Sequence, residues 1–559
     1  MVLATSPEVT VPPSMPARRR HPASWVAVGL AVLGIGYRLA VLLAEAPPAN
    51  SDEAISGLVA RHLAQGREFP LFFYGQYYMG ALESYLAAPL FAVFGSSTLA
   101  LRLPNLLLYA GFLALMWQLT RRLYTPWLAA FTVGLLALGS DRILKNQLIA
   151  GGGYPEMNPA GALLVLLAVN LGLGVVRRPI LAYAGWGLIA GLTLWDDWLI
   201  LPYVAAAGAV LFGTRWRELR GRAGLALGGG LLVGLIPIAV HNLTAAPEHR
   251  SLAVYAELSS GAVASWADRL HGGILFGLPM SSGLCAPSRC APWQLWWGVV
   301  YPALLVAAAL LAGRALRRAA DRPERVRQAG RLALVVGAAL TLLAYVTSSA
   351  AGTTPVESAR YLSCLLISTP AVLWPLWSVA GQPDRRARDR QGGPGRQDGS
   401  GRQDGSGPLS RPALRLAAAV PLAALVATMV LATASLIGAI PTLGREAAER
   451  RELVAELDRL GVDRFYAEYW TCNNIIFLTR ERIVCAVIRE DLHAGWDRYP
   501  PYRELVAEAS RPAWVLPAGT PLSAAVRAHL GGTGVVVTET STAGYDIYQT
   551  SAPVDLPLR

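Results

Sequence analysis

The chain has little charge for its size. Asp, Glu, Lys and Arg make up 15% of its 559 residues, against 53% hydrophobic ones, and mean hydropathy is +0.39. That balance excludes an ordinary soluble domain and points to a polytopic membrane protein, because several apolar runs approach the ~20 residues that cross hydrocarbon. The C-terminal part lacks a glycine-rich phosphate loop after any strand-like stretch, which argues against a nucleotide-binding domain there. The sequence also lacks two similar halves with broken helices at corresponding positions, the usual mark of a transporter. Cysteine is scarce, with five in all. Cys285 and Cys290 stand close together in "CAPSRC", Cys472 and Cys485 lie near the C-terminus, and Cys364 is alone in an apolar run. Two disulfides in an oxidising compartment and one free thiol are expected, with unpaired thiols as the alternative. Two thiolates without nearby histidines make a poor zinc site.

What is present is a series of eleven expected spans: 25–43, 99–119, 127–140, 157–176, 180–195, 198–212, 225–240, 295–311, 332–349, 361–380 and 414–440. The net charge of +12 would suggest nucleic acid in a soluble chain, but here it concentrates in alternate loops. Arg18 to Arg20, Arg121 and Arg122, Arg177 and Arg178, "RWRELRGR" and "RALRRAADRPERVRQAGR" all fall on one side. The positive-inside rule makes that side cytoplasmic, with a cytoplasmic tail 1–24 and residues 441–559 outside. No nucleic-acid partner is expected, and the location is the cell membrane. "RRRH", an apolar run and "AEA" imitate a signal peptide, but the run is long and further spans follow, so an uncleaved anchor is expected.

A cytoplasmic loop, 381–413, carries the tandem repeat "GRQDGSGRQDGS" and too little apolar surface to fold. Beyond residue 441, helix-like "RELVAELDRLG", "YRELVAEAS" and "LSAAVRAHLGG" alternate with strand-like "RFYAEYW", "RIVCAVI", "AWVLPAG", "GVVVTET" and "YDIYQT". The expected fold is therefore a polytopic α-helical membrane unit, 25–440, and a small external α/β domain, 441–559.

The external loop 44–98 holds the most informative residues. Asn50 is a good N-cap, and Glu53 three residues on can complete a capping box, so Asp52 and Glu53 can both be plain helix-start acids. Ile55, Leu58, Val59 and Leu63 recur at helical spacing opposite Ser56 and Arg61, which predicts a helix lying on the membrane surface. A second interfacial helix is expected within 69–95, dense in tyrosine and containing Glu83. Other polar groups fall on the same side. Asp196 and Asp197 in "WDDW" join two short spans, the first covering roughly 24 Å at 1.5 Å per residue. Carboxylates there mark either a water-filled cavity or a helix cap. Glu156 in "GGGYPEMNPAG" and His241 stand at the ends of further spans and join Glu83, Asp196 and Asp197 as a candidate cavity rim. Arg102, Arg360 and Tyr361 begin spans, and the arginines can bind a lipid phosphate or snorkel.

"DEA" at 52–54, "RLP" at 102–104 and "ARYL" at 359–362, together with "FPLFFYGQYYMG", "GGYPE" and "YAEYW", resemble the GT-C class of integral membrane glycosyltransferases. Within it the similarity is to family 39, the protein O-mannosyltransferases and aminoarabinose transferases. The resemblance implies a sugar carried on a polyprenyl phosphate at the outer face, a lipid, glycan or protein acceptor, and a catalytic aspartate at Asp52 with Glu53 in the adjacent acidic position. It implies a phosphate-binding arginine at Arg360 and, by extension, Tyr361 and Arg102. Two departures stand out: "GQYYMGALESYL" replaces the "KPPL" stretch of aminoarabinose transferases, and Ser363 and Cys364 follow "RYL" in place of proline and leucine. No cofactor is required for a sugar-monophosphate donor, although Asp52, Glu53, Glu156, Asp196 and Asp197 could hold a hard divalent cation. The alternatives from other classes are a transporter and a membrane-anchored envelope scaffold.

Overall fold

The computed structural model describes residues 21–259, 261–287, 289–381 and 411–554. The basic stretch at 18–20 and the repeat at 395–406 lie outside the described residues. Among the described residues, eight helices are long and apolar enough to cross a membrane, and two bent pairs raise that number to ten. They include α1 (Pro22–Leu43), preceding the external loop, where α2 (Ser51–Ala64) and α3 (Leu82–Phe94) lie, and then α4 (Thr98–Leu123). The first bent pair is α5 (Pro126–Ala137) and α6 (Arg142–Leu148), which turn by 92°. Next come α7 (Tyr154–Leu173) and α8 (Pro179–Asp196). The 18 residues of α8 correspond to the remaining expected span. It packs lengthwise on Arg222–Gly234, where glycines replace side chains: a Cβ at Gly187 would fall 2.0 Å from the Leu227 carbonyl oxygen, and one at Gly230 would fall 2.1 Å from that of Ala184. Small residues let two backbones approach this closely in a membrane, where apolar burial alone gives helices little reason to associate.

The last long apolar helix, Arg411–Arg459, covers 49 residues and carries the chain directly into the C-terminal sheet domain. That domain is built on a five-stranded sheet: β1 (Arg464–Ala467), β2 (Val484–Val487), β3 (Ala513–Pro517), β4 (Val537–Thr542) and β5 (Tyr545–Thr550), in the order β2-β1-β3-β5-β4. β1 is parallel to β2 and β3, and the β3–β5 and β5–β4 pairs are antiparallel. "VCAV" and "AWVL" are buried along their length, as strands covered on both faces require, whereas β4 at the edge is largely polar and exposed. "RFYAEYW" reads as one strand by composition, but the strand stops at Ala467 and Tyr469 opens the helix Tyr469–Leu478.

The external loop also departs from expectation in two places. The segment before α3 is not helical: Phe73 N–H bonds the Met79 carbonyl at 3.0 Å and Gly80 N–H bonds the Asp196 carbonyl at 2.8 Å, so its backbone is satisfied by a turn and by a neighbouring element. In α2 burial extends round the helix rather than along one stripe, and Ser56 is as buried as Ile55. The reason is that α2 lies between α3 and Tyr469–Leu478, in one hydrophobic cluster that includes Ile55, Leu58, Phe91, Phe465, Ile475 and Trp514. A sequence pattern showing one apolar face cannot register a second covering layer supplied more than 400 residues later.

Candidate functional site

Asn50, in extended conformation, caps α2 by accepting the Glu53 N–H at 2.8 Å. The reciprocal half of the capping box is absent among the described residues, because the Glu53 carboxylate turns elsewhere. Arg102 Nε and Nη2 each donate to one of its oxygens at 2.6 Å, and Arg102 Nη1 donates to the Pro47 carbonyl at 2.8 Å. Both side chains are almost fully buried, at 1% and 2% exposure. Glu53 and Arg102 thus tie α2 to α4. Arg102 is engaged by Glu53 and Pro47 along its whole guanidinium and is 2% exposed.

Asp52 occupies the same helical turn in a different setting. Its Oδ1 accepts the Tyr469 hydroxyl at 2.6 Å and Arg498 Nη2 at 3.0 Å, and Oδ2 has no hydrogen-bond partner among the described residues. The carboxylate is 20% exposed. Both partners come from the external domain, and topology explains why. Tyr469 follows the C-terminal end of β1, and Arg498 lies in the loop after β2; those strands are parallel, so both segments leave the sheet at one edge, where α/β sheets present their ligand-binding loops. Asp497 fixes the second loop by accepting the Val487 N–H at 2.8 Å. Arg498 Nε donates to the Tyr469 hydroxyl at 2.8 Å, and its guanidinium lies 3.8 Å from the Trp496 ring centre and 4.9 Å from that of Phe73. Its Nη1 is buried without a partner among the described residues. Burial, and then the adjacent Asp52 charge, push the Tyr469 phenol well above its ordinary pKa, with Arg498 opposing them, so the phenol stays protonated and donates.

Arg360, in the 3-10 turn Ala359–Ser368, lies within electrostatic reach of Asp52 and packs over Tyr154 and Tyr361, 5.5 and 5.6 Å from their ring centres. Its Nε is also buried and unpaired. Tyr78, in the loop before α3, is influenced by Tyr361, Arg498 and Arg360 together; burial carries its phenol up to about 12. Tyr361, Arg360 and Arg498 are therefore all within electrostatic reach of Tyr78, as Asp52 is of Arg360.

Of the expected rim acids, Asp197 lies within electrostatic reach of Tyr78 and Arg360. Glu83, Glu156, Asp196 and Asp197 are buried beneath the external loop, at 8% exposure or less. Glu83 accepts the N–H groups of Gly152 and Gly153 at 3.1 and 2.9 Å, and those residues have φ of +104° and +81°, which suit glycine. Asp197 caps the short turn Trp198–Ile200 through Leu199 N–H at 2.8 Å. Both oxygens of Glu156 and of Asp196 lack hydrogen-bond partners among the described residues. His241 stacks with Tyr77 and meets Phe72 edge-on, 5.0 and 4.8 Å between ring centres, apart from this group. Among the described residues no three of His, Cys, Asp and Glu come together so as to hold a metal ion. The five carboxylates proposed as cation ligands are divided between the Arg498, Arg102 and sub-loop environments. Cys285 is bonded to Cys290 and Cys472 to Cys485, while Cys364 is free and buried.

A second cluster fastens the external domain to α2. Glu481 receives Arg61 Nε at 2.8 Å, Arg67 Nη1 at 3.0 Å and the Tyr502 hydroxyl at 3.1 Å, and it meets His62 Nε2 at 3.0 Å. Burial alone would raise its carboxyl, but the hydrogen bonds from His62 and Arg61 outweigh that and hold it at about 2. Sequence reasoning missed Tyr469 and Arg498. Tyr469 lay inside the quoted "YAEYW", and the one cue to Arg498 was an arginine set among aromatics in "WDRYP".

The arrangement of membrane helices, the acid-bearing external loop after the first helix and the sheet domain seated on it is the GT-C fold. Two crystal structures share this fold. ArnT from Cupriavidus metallidurans bound to undecaprenyl phosphate matches with a TM-score of 0.58 at 15% identity, over 95% of this chain and 98% of that one. The apo form of the same ArnT gives 0.55 at 15% identity, over 94% and 98%. The archaeal oligosaccharyltransferase AglB from Archaeoglobus fulgidus, in complex with an inhibitory peptide and a dolichol-phosphate, gives 0.46 at 14%, over 96% and 75%. No protein-family model matches the chain, and no curated protein matches it.

Proposed function

We propose that the protein transfers a sugar, a hexose or pentose, from a polyprenyl-phosphate carrier to a hydroxyl acceptor at the outer face of the membrane. The observation that carries this reading is Asp52: one carboxylate oxygen is held by two fixed donors, the other is free, and two arginines with buried, unpaired N–H groups stand beside it. A helix cap needs none of this, and Asn50 already serves as the cap.

In the proposed step the acceptor oxygen attacks the anomeric carbon while the bond from that carbon to the phosphate oxygen breaks. The phosphate leaves with the bonding pair, Asp52 Oδ2 takes the acceptor's proton, and the anomeric configuration inverts. Arg360 meets the charge that develops on the leaving phosphate, an interaction stronger in the transition state than before it. Glu53 and Arg102 hold the turn that presents Asp52 and take no part in the chemistry. The step needs no divalent cation. The undecaprenyl phosphate bound by ArnT, whose fold this chain shares, supports the choice of donor class. The concentration of arginine in the alternate loops supports a cytoplasmic N-terminus and an external sheet domain. That domain closes over the site and is placed to help bind the acceptor.

The test is sugar transfer by the purified chain in lipid from a panel of polyprenyl-phosphate sugars, native against Asp52→Asn. The expected result is a loss of about 10²- to 10⁴-fold in turnover with the melting temperature unchanged. Equal turnover in the variant would sink the assignment of Asp52.

A further inference from the structure

The external domain does more than cover the site. Of the groups that touch Asp52, the two hydrogen-bond donors, Tyr469 and Arg498, both belong to it. Arg498 is built into place: its side chain is 4% exposed, stacked on Trp496, held on its loop beside the Asp497 cap, and bonded through Nε to Tyr469 and through Nη2 to Asp52. The fork of a guanidinium has two ends, and Nη1, the outer nitrogen of the other end, is buried without an acceptor. Leaving a cationic N–H buried and unpaired is costly, and an anion at that position removes the cost. Tyr78, in the loop before α3, lies within electrostatic reach of Arg498 and Arg360 alike, so the two guanidinium groups share one neighbour.

Taking the lipid-phosphate donor as given, we propose that Arg498 is a second phosphate-binding residue of the site: Nη2 positions Asp52 while Nη1 donates to a phosphate oxygen of the donor. Arg360 approaches that phosphate from the membrane unit and Arg498 from the external domain. One side chain then fixes the distance between the base and the leaving group, and the domain is part of the donor site itself. Tyr469 acts differently. Its hydroxyl bonds Asp52 and Arg498 and its ring stacks on Trp496, so it is a positioning residue.

The experiment is equilibrium binding of radiolabelled undecaprenyl phosphate to the full chain in lipid nanodiscs, with undecaprenol as the phosphate-free control. Arg498→Ala is expected to weaken undecaprenyl phosphate about tenfold or more and to leave undecaprenol unchanged. Arg498→Lys keeps the charge but not the fork, so a smaller loss of roughly two- to fivefold is expected. Tyr469→Phe should bind undecaprenyl phosphate as the native chain does while turnover falls roughly tenfold. An Arg498→Ala protein with native melting temperature and native affinity for undecaprenyl phosphate overturns the proposal. If that variant does not fold, native affinity in Arg498→Lys overturns it. A native chain that binds undecaprenyl phosphate no better than undecaprenol overturns the donor reading as well. A native chain that distinguishes the two lipids, beside an Arg498→Ala that distinguishes them equally, removes only the part assigned to Arg498.

Discussion

Asp52 and Glu53 are neighbours on one helical turn, each paired with an arginine from elsewhere in the chain, and their surroundings differ in every respect that matters. The Glu53–Arg102 pair joins residues 49 apart within the membrane unit, uses both carboxylate oxygens and is sealed from solvent. The Asp52–Arg498 pair joins residues 446 apart across two parts of the molecule, uses one oxygen, and leaves a free oxygen on one partner and a free N–H on the other. A sealed, fully matched ion pair can hold a fold together but offers nothing to a substrate. An under-matched one has bonding capacity left to use. Two neighbouring acids, alike by sequence, are thereby separated into an anchor and a candidate base.

The contrast is broken most severely by removing the sealed arginine. Arg102→Ala leaves a buried carboxylate without its partner, and a loss of about 3 to 5 kcal/mol in stability is expected, seen as a large fall in the melting temperature in lipid. If Arg102→Ala melts like the native chain, the sealed pair is no anchor. The attachment of the external domain comes next. Glu481→Gln removes the shared acceptor of Arg61 and Arg67 and should cost about 2 to 3 kcal/mol of domain docking, read by hydrogen exchange in α2 and in Tyr469–Leu478. The sign of its pH dependence follows from its depressed pKa. The unfolded carboxyl binds protons near pH 4.3 and the folded one only at about 2, so the docking contribution is complete above about pH 4.3 and is lost as pH falls through about 2. Protection that persists unchanged at pH 2 would refute that link. The smallest effect sharpens the comparison: Asn50→Ala should cost only about 1 kcal/mol, because it removes the cap and neither ion pair. Sugar transfer by that variant should remain near native, and a collapse of transfer would mean that capping, and not Asp52 chemistry, governs the loop.

The helices of the membrane unit were largely legible in the sequence because apolar length is a local signal. The expected runs at 25–43, 99–119 and 157–176 correspond to α1, α4 and α7 with small shifts at their ends. The 127–140 run gave no hint of the 92° turn into α6, since a bend is set by packing rather than by composition. In the site, Asp52 and Glu53 could be picked out from a helix start, but their division of labour could not, because it depends on residues far away in the chain. Arg102 looked like a phosphate ligand for the same reason: an arginine at a helix start reads alike whether it faces solvent or a buried glutamate. The acids at 83, 156, 196 and 197 carried a real signal, being charges where charge is costly. The signal does not say whether such groups face a cavity or lie beneath a loop.

The helix Arg411–Arg459 runs as one element through 49 residues, with Pro421 and Pro441 inside it. At 1.5 Å per residue it is a shaft about 73 Å long, more than twice the thickness of a bilayer core. A domain mounted on such a shaft is set in azimuth as well as in height. One added residue near its outer end would swing the sheet by about 100° and lift it by 1.5 Å, carrying Tyr469 and Arg498 away from Asp52 although no residue of the site had changed. The membrane helix thus works as an alignment gauge, and the spacing of two charges on the outer surface is written into the length of a segment that touches neither.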